Sequence, residues 1–171
     1  MRHKGFSLIE LLIVIAIILI VAAIAIPNLL RARIAANDSS AAGSIHTIDV
    51  AEVGYFDAYG GTVGFSSTLA SLGGPNPCTA SSTTACLVDD FLASNGGGNG
   101  KSGYMFAATG SAYSGSTLND QFYTTGTPIG SMTGSRSYCS TDDGVIRIQP
   151  AGNIAMVGSY SACEGLSAMN N

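Results

Sequence analysis

Residues 1–38 read MRHKGFSLIELLIVIAIILIVAAIAIPNLLRARIAAND. From Leu11 to Ile26 no side chain is charged or polar. The stretch from Phe6 to Ile26 holds 21 residues. As an α-helix rising about 1.5 Å per residue it spans roughly 31 Å, which is enough for the hydrocarbon core of a bilayer. The sequence therefore predicts one membrane-spanning helix near the N-terminus.

Charges and a small residue at the start of the apolar run predict its orientation and its processing. Arg2 and Lys4 precede the run, and only Arg31 and Arg33 follow it closely. The positive-inside rule then predicts a cytoplasmic N-terminus and an outward-facing remainder. A secretory signal would place its small-residue cleavage site after the apolar stretch. Here the small residue, Gly5, lies before it, so cleavage after Gly5 would keep the helix in the mature protein.

Glu10 is the unusual residue of the apolar helix. An acid at the centre of a membrane helix costs on the order of 3 kcal/mol to insert, and less toward the end. One interpretation is that Glu10 reaches the headgroup region. The other is that it meets a cation, because cleavage after Gly5 would create a new amine on Phe6. In a bundle of such helices, Glu10 of one subunit would neutralise that amine on a neighbour.

The segment from Lys4 to Leu12, KGFSLIELL, resembles the class III signal of type IV prepilins and type II secretion pseudopilins. The likeness continues through Ala25–Asn28 and covers the first 60 residues well. The resemblance implies that a membrane peptidase cuts after Gly5 and that Phe6 becomes the N-methylated terminus. It also implies that Glu10 is the assembly contact.

The same resemblance implies a function and partners. The precursor is expected in the inner membrane with a cytoplasmic N-terminus, where a prepilin peptidase and an assembly machinery act on it. The mature form is expected in a homo-oligomeric helical filament at the cell surface, a type IV pilus that serves adhesion, motility or DNA uptake. Two alternatives stay open: a pseudopilin of a type II secretion system, and a minor pilin that acts as a tip adhesin.

Pro27 follows the membrane run and lacks the amide proton that would bond to the carbonyl of Ala23. A helix break at this point is one interpretation. A loosened but continuous helix is favoured, because apolar residues recur at helical spacing through residue 59 and Gly60 and Gly61 then end the helix. The predicted stripe consists of Ile34, Ala41, Ile45, Ile48, Ala51, Tyr55 and Tyr59. The charged residues expected mostly outside it are Arg31, Arg33, Asp38, Asp49 and Glu52.

The chain has four cysteines: Cys78, Cys86, Cys139 and Cys163. An even number of cysteines in an exported chain with few large aliphatic residues favours disulfides. Three pairings are possible with four cysteines. The pairs 78–86 and 139–163 are favoured because each closes a local loop. A metal site is the weaker interpretation, since no CxxC is present.

Later segments predict a small antiparallel sheet. Residues 103–108, 121–125 and 136–149 have the aromatic and β-branched content of strands. The third contains Thr141–Gly144, TDDG, which is a strong sequence signal for a hairpin turn. About four strands are expected to pack on the helix stripe. The predicted fold is α+β, with residues 1–5 as leader, 6–27 as membrane and polymerisation helix, 28–60 as amphipathic helix and 61–171 as globular head.

No constellation of residues predicts catalysis, so we expect no enzyme, cofactor or metal site. The net charge is −4, and without residues 1–5 it becomes −6, which argues against a specific nucleic-acid site. The pairs Asp89–Asp90 and Asp142–Asp143 could hold calcium, but helix capping and turn formation explain them better. His46 is expected at the surface. Lys101 follows a glycine-rich stretch that matches the end of a phosphate loop. The first glycine of that motif is missing, so we expect a surface loop instead.

Overall fold

The computed structural model describes residues 6–113 and 115–169. Its longest element is a helix, α1 (Leu8–Tyr59), which continues through Pro27. A helix break at Pro27, one of the two interpretations of the sequence, is therefore wrong. The chain forms two compact units with the boundary between Arg33 and Ile34. The first unit contains the N-terminal part of α1, and the second contains the rest of α1 and the sheet.

In the second unit, one side of α1 packs on the sheet as the periodicity predicts. Five residues of the stripe are buried: Ala41, Ile45, Ile48, Ala51 and Tyr55. Ile34 and Tyr59, at the two ends of the stripe, are half-buried. The buried residues share a core with Leu72, Leu92, Tyr104, Phe106 and Tyr138.

The expectation that the acids of α1 lie mostly outside the buried side is wrong for two of them. Asp49 is 7% exposed and Glu52 is 0% exposed. Asp49 accepts a hydrogen bond from Thr124 and Glu52 accepts one from Ser66, so both acids are hydrogen-bonded although they are buried. The helical period alone could not predict this, because it identifies the buried side without showing which hydroxyls the fold brings to it.

Within the described residues the sheet has five antiparallel strands in the order β1-β2-β3-β4-β5. The strands are β1 (Tyr104–Ser111), β2 (Gln121–Pro128), β3 (Tyr138–Thr141), β4 (Arg147–Ile148) and β5 (Ser167–Ala168). The first two extend beyond the predicted segments. The fifth was not predicted, because two small residues carry no strand pattern. It pairs with β4, where Arg147 lies opposite Ala168.

The predicted turn joins β3 to β4. The amide of Gly144 donates to the carbonyl of Thr141 at 2.9 Å. Gly144 has a φ of +70°, a left-handed conformation that glycine adopts at little cost. The paired part of the hairpin is short, with Tyr138 opposite Ile148 and Cys139 opposite Arg147.

Four short helices complete the described part of the second unit. They are α2 (Leu69–Leu72), α3 (Asp90–Ala93), α4 (Asn95–Gly98) and α5 (Tyr160–Glu164). Helices α2 and α3 lie in the connection between the end of α1 and β1. In α4 the φ angles of Gly96 and Gly97 are 58° and 66°. This glycine-rich turn is therefore irregular.

The two faces of the sheet are covered differently. Alternate side chains of β1, including Tyr104 and Phe106, point to α1 and are buried in its core. Cys139 on β3 belongs to a separate buried cluster with Val157 and Cys163. The C-terminal segment therefore packs on the opposite face of the sheet. The disulfide Cys139–Cys163 connects this segment to β3.

The other two cysteines also pair, as Cys78–Cys86. This bridge closes a loop between α2 and α3, at a sequence separation of 8 residues. The backbone of the same region is tied to α2, since the amide of Leu87 donates to the carbonyl of Leu72 at 2.8 Å. The bridge and this hydrogen bond stabilise the segment between α2 and α3, which has few large apolar side chains of its own.

Candidate assembly segment

The apolar part of α1 in the first unit has no covering in the described chain. Phe6 is 84% exposed, and no residue from Leu8 to Arg33 is buried. This helix is long and apolar enough to cross a membrane. An apolar surface of this extent is not stable in water, so it requires lipid or other protein around it. It is the largest feature of the chain that calls for a partner.

Glu10 lies at the exposed start of α1. Its carboxylate accepts a hydrogen bond from the amide of Ser7 at 2.9 Å, and the amide of Glu10 donates to the carbonyl of Ser7 at 3.1 Å. Ser-x-x-Glu is the spacing of a capping box, in which the acid satisfies a free amide of the first turn. The Glu10 side chain thus has a local partner, which the sequence reasoning missed although the spacing of Ser7 and Glu10 signals it.

The predicted processing and assembly residues fall on one element where they are described. Phe6, Glu10 and Pro27 follow one another along α1 or directly before it. Gly5 lies outside the described residues. The four cysteines belong to the second unit. The predicted processing and assembly residues are thus separated along the chain from the four cysteines.

Three acids of α1, Asp38, Asp49 and Glu52, connect the helix to the head. The hydroxyl of Tyr104 donates to Asp38 at 2.6 Å, and the amide of Ser135 donates to the same oxygen at 3.0 Å. The hydroxyl of Thr124 donates to Asp49 at 2.9 Å. These bonds link α1 to β1, to β2 and to the loop before β3. None of the three acids has a salt bridge within the described residues.

Burial changes the acidity of these groups. Loss of water raises the pKa of Asp49 to about 6, and the nearby hydroxyls of Ser140 and Thr124 lower it by less. Loss of water also raises the pKa of Glu52 to about 7, against the lowering effect of its hydrogen bonds from Ser66. Both carboxyl groups therefore bind protons more tightly in the folded head than in an unfolded chain.

The aspartate pairs have structural partners. Asp89 caps α3, since its carboxylate accepts from the amide of Leu92 at 2.8 Å. Asp143 forms a salt bridge with Arg147 at 2.5 Å, and hydrogen bonding to this guanidinium is the main reason why the pKa of Asp143 falls to about 2. The carboxylate of Asp142 accepts from the hydroxyl of Tyr160 at 2.5 Å. His46 is exposed.

Comparison with known proteins identifies the N-terminal segment. Residues 1–26 match the family described as "Prokaryotic N-terminal methylation motif". The chain is 75% identical over 36 residues to the type IV wide pilus major component PilA4 of Thermus thermophilus, covering 21% of this chain and 28% of that protein. It is 44% identical over 55 residues to the type IV major pilin protein PilA of Myxococcus xanthus, covering 32% of this chain and 25% of that protein.

The likeness is confined to a limited part of each chain. The matched regions span about a quarter of the length of these relatives. No solved structure is significantly similar to this chain. The segment that matches carries the KGFSLIE motif, and the fold is a long N-terminal helix packed on an antiparallel sheet. The N-terminal segment is thus similar to that of type IV pilins, and the long helix packed on an antiparallel sheet is a type IV pilin-like fold.

Proposed function

We propose that this chain is the structural subunit of a type IV pilus and that it is not an enzyme. The observation that carries the proposal is the exposed apolar part of α1 from Leu8 to Ile26, which precedes a folded head with its own buried core. A helix of this kind is soluble in a bilayer before assembly and in a bundle of identical helices afterwards. The two relatives are named as major pilus components, which favours a pilin over a pseudopilin.

Processing would prepare the helix for assembly. Residues 1–5 are the proposed leader, and cleavage after Gly5 followed by N-methylation would make Phe6 the new terminus. The amine of Phe6 would then lie within one turn of Glu10, whose carboxylate already takes one hydrogen bond from Ser7. In the filament the remaining capacity of Glu10 would neutralise the amine of a neighbouring subunit. Such a buried pair adds little net stability, but loss of one member leaves an uncompensated charge.

This arrangement suggests a role for each of the other parts of the chain. Residues 6–27 would form the membrane and polymerisation helix, 28–60 the helix that carries the head, and 61–171 the filament surface. The partners would be a prepilin peptidase, the inner-membrane assembly machinery and further copies of the chain. The precursor would reside in the inner membrane with a cytoplasmic N-terminus. The finished filament would serve adhesion, motility or DNA uptake.

Electron microscopy of sheared cell-surface material, combined with mass spectrometry of the subunit, tests this proposal. We expect fibres whose subunit begins at N-methylated Phe6. A chain that keeps residues 1–5 in purified fibres would contradict the proposed processing. A processed chain that stays in the inner membrane, with no surface fibres under native expression, would contradict the pilus and favour a pseudopilin.

A further inference from the structure

Three loops of the head come together at one edge of the sheet, where β1, β3 and their neighbours begin or end. They are the loops 99–103, 129–137 and 149–153. The amide of Ile129 donates to the carbonyl of Gly103 at 2.9 Å, which joins the second loop to the first. The amide of Gly152 donates to the carbonyl of Ser135 at 3.0 Å, which joins the third loop to the second. The three loops therefore form one continuous surface.

The same edge is the place where α1 enters the head. The side-chain amide of Asn37 donates to the carbonyl of Thr133 at 2.8 Å. The carboxylate of Asp38 accepts from the amide of Ser135 at 3.0 Å. Both α1 residues lie within the first turns of the second unit, which starts at Ile34. We call the three loops the entry loops for this reason.

The chain between the apolar run and the entry loops is short. Asn37 follows Ile26, the last residue of the run, by 11 positions, and both belong to α1. Eleven helical residues rise about 16 Å, and a tilt of the helix in the bilayer can only reduce this height. The headgroup layer adds roughly 5–7 Å to each side of the hydrocarbon core. A head carried by this helix is thus held close to the lipid headgroups.

The entry loops expose two large apolar side chains. Ile129 is 53% exposed and Met132 is 68% exposed, and they lie three residues apart in one loop. Single apolar side chains are common on protein surfaces, so their exposure alone would not identify a partner. At a bilayer interface, however, apolar side chains and basic side chains act together in attachment. The charge of the surrounding loops therefore decides the matter.

Charge distinguishes the edge that carries the entry loops from the opposite edge of the sheet. The entry loops contain two basic residues, Lys101 and Arg136, and no acid. Neither basic residue has a salt bridge within the described residues. The loops at the opposite edge, 112–120 and 142–146, contain three acids and no basic residue. The head thus has a basic edge and an acidic edge.

The basic edge continues the charge of the segment that leads to it. Arg31 and Arg33 precede the head and are exposed. The one acid among α1 residues 34–41 is Asp38, whose carboxylate is occupied by the hydroxyl of Tyr104 and by Ser135. An anionic surface that approaches the entry loops therefore meets basic side chains and no free acid in those loops.

We propose that the entry loops dock on an anionic bilayer surface while the chain is held in the membrane. Lys101 and Arg136 meet the lipid phosphates, and Ile129 and Met132 enter the headgroup layer. Lys101 donates to the hydroxyl of Ser44 at 3.0 Å with one of its three donors, which leaves two for phosphate oxygens. The proposal rests on the membrane helix of the proposed function and goes beyond it, because it assigns a lipid contact to the head.

Fluorescence quenching on the full-length chain in lipid vesicles tests the proposal. The chain has no tryptophan, so a single introduced tryptophan reports its own position. The vesicles consist of phosphatidylcholine with or without phosphatidylglycerol and carry a headgroup nitroxide as quencher. We expect quenching of Met132→Trp to be at least about twofold stronger in vesicles with phosphatidylglycerol. Tyr113→Trp is the matched control, because Tyr113 is 64% exposed and follows β1 at the acidic edge.

Charge variants in the Met132→Trp background test the role of the basic residues. Lys101→Gln combined with Arg136→Gln should reduce quenching to the value in phosphatidylcholine alone. Lys101→Arg combined with Arg136→Lys keeps both charges and should keep the quenching. High salt should act like the loss of charge, because it screens attraction between exposed charges and the bilayer.

Flotation of the chain with the vesicles separates failure of this proposal from failure of the membrane helix. A chain that does not float would contradict both. A chain that floats, with equal quenching of Met132→Trp and Tyr113→Trp, would overturn the docking alone. Quenching that needs no phosphatidylglycerol, or that survives the loss of both charges, would also overturn it. Quenching that follows the protein-to-lipid ratio instead would assign the entry loops to an interface between copies and overturn it equally.

Discussion

The carboxylate of Glu52 accepts two hydrogen bonds from Ser66, one from its amide at 2.9 Å and one from its hydroxyl at 2.5 Å. Both residues are fully buried. Ser66 precedes α2 in the connection that follows α1, so this contact joins the end of the long helix to the first segment of the head. No basic residue takes part in it among the described residues. The contact therefore depends on hydrogen bonding and on the protonation state of the acid.

The head should lose stability as pH rises from about 4 to about 8. Burial raises the pKa of Glu52 from 4.5 to about 7 and that of Asp49 from 3.8 to about 6. An acid with a higher pKa in the folded state binds more protons there than in the unfolded state. Its contribution to stability is complete at pH values below the unfolded-state pKa and is lost as the pH rises through the folded-state pKa. Thermal unfolding followed by near-ultraviolet circular dichroism should show a lower Tm at pH 8 than at pH 5.

The variant Glu52→Gln isolates the contribution of this acid. An amide still accepts a hydrogen bond from the Ser66 amide and donates one to its hydroxyl, but it does not titrate. We expect Glu52→Gln to show a smaller decrease in Tm between pH 5 and pH 8 than the parent. Asp57→Asn is the control, because Asp57 is exposed on the same helix. Equal pH dependence in the parent and in Glu52→Gln would contradict the assignment.

Substitution of Glu10 should separate processing from assembly. Glu10→Ala leaves the apolar run and Gly5 in place, so the chain should still enter the membrane and be cleaved. Filament yield should fall strongly, because the amine of a neighbour would be buried without a counterion. Sheared fibres are measured against total processed subunit, with Asp57→Ala as control. Normal yield from Glu10→Ala would show that its bond to Ser7 is the main role of this acid.

The two disulfides should differ in their effect on stability. They close loops with sequence separations of 8 and 24 residues, which corresponds to about 2.5 and about 3.4 kcal/mol of lost loop entropy. Cys139 and Cys163 are also fully buried. Replacing this pair by serine should therefore lower the free energy of unfolding more than replacing Cys78 and Cys86. Denaturant titration of the full-length chain measures both effects.

Non-reducing peptide mapping checks the pairing itself. Linked fragments containing 78 with 86 and 139 with 163 are expected. A fragment that links 78 to 139 would contradict both the pairing and the ranking of the two serine variants.

The hydroxyl of Tyr104 should contribute to the attachment of α1 to the head. It donates to Asp38 at 2.6 Å and lies 3.0 Å from the carbonyl of Arg136. Burial and this acid raise the pKa of Tyr104 far above its usual value. Tyr104→Phe leaves the ring in place and removes the donor, so we expect a loss of about 1–3 kcal/mol in the free energy of unfolding.

The exposed Tyr113 provides the control for this substitution, since Tyr113→Phe should change stability by less than about 0.5 kcal/mol. The two variants remove the same atom at a buried and at an exposed position. Similar stability of both would show that the bond to Asp38 is replaced by water.

Some features of the fold are local and were therefore predictable. The apolar run to Ile26, the KGFSLIE motif and the stripe through Ile45, Ile48 and Tyr55 each follow from neighbouring residues at fixed spacing. Gly60 ended α1 as predicted, since the helix stops at Tyr59. The likeness to type IV pilins and the fold class could be predicted from these signals. The short strand β5 could not, because its two residues become a strand only by pairing with β4.

The sequence by itself determined the apolar N-terminal helix and its motif, because an apolar run and a short pattern of neighbouring residues need no distant partner to be recognised. Tertiary structure decided the contacts of the acids. Ser66, Thr124 and Ser135 lie 14, 75 and 97 residues from their partners Glu52, Asp49 and Asp38. A buried charge is tolerated only where the fold supplies hydrogen-bond donors, and helical spacing does not reveal those donors.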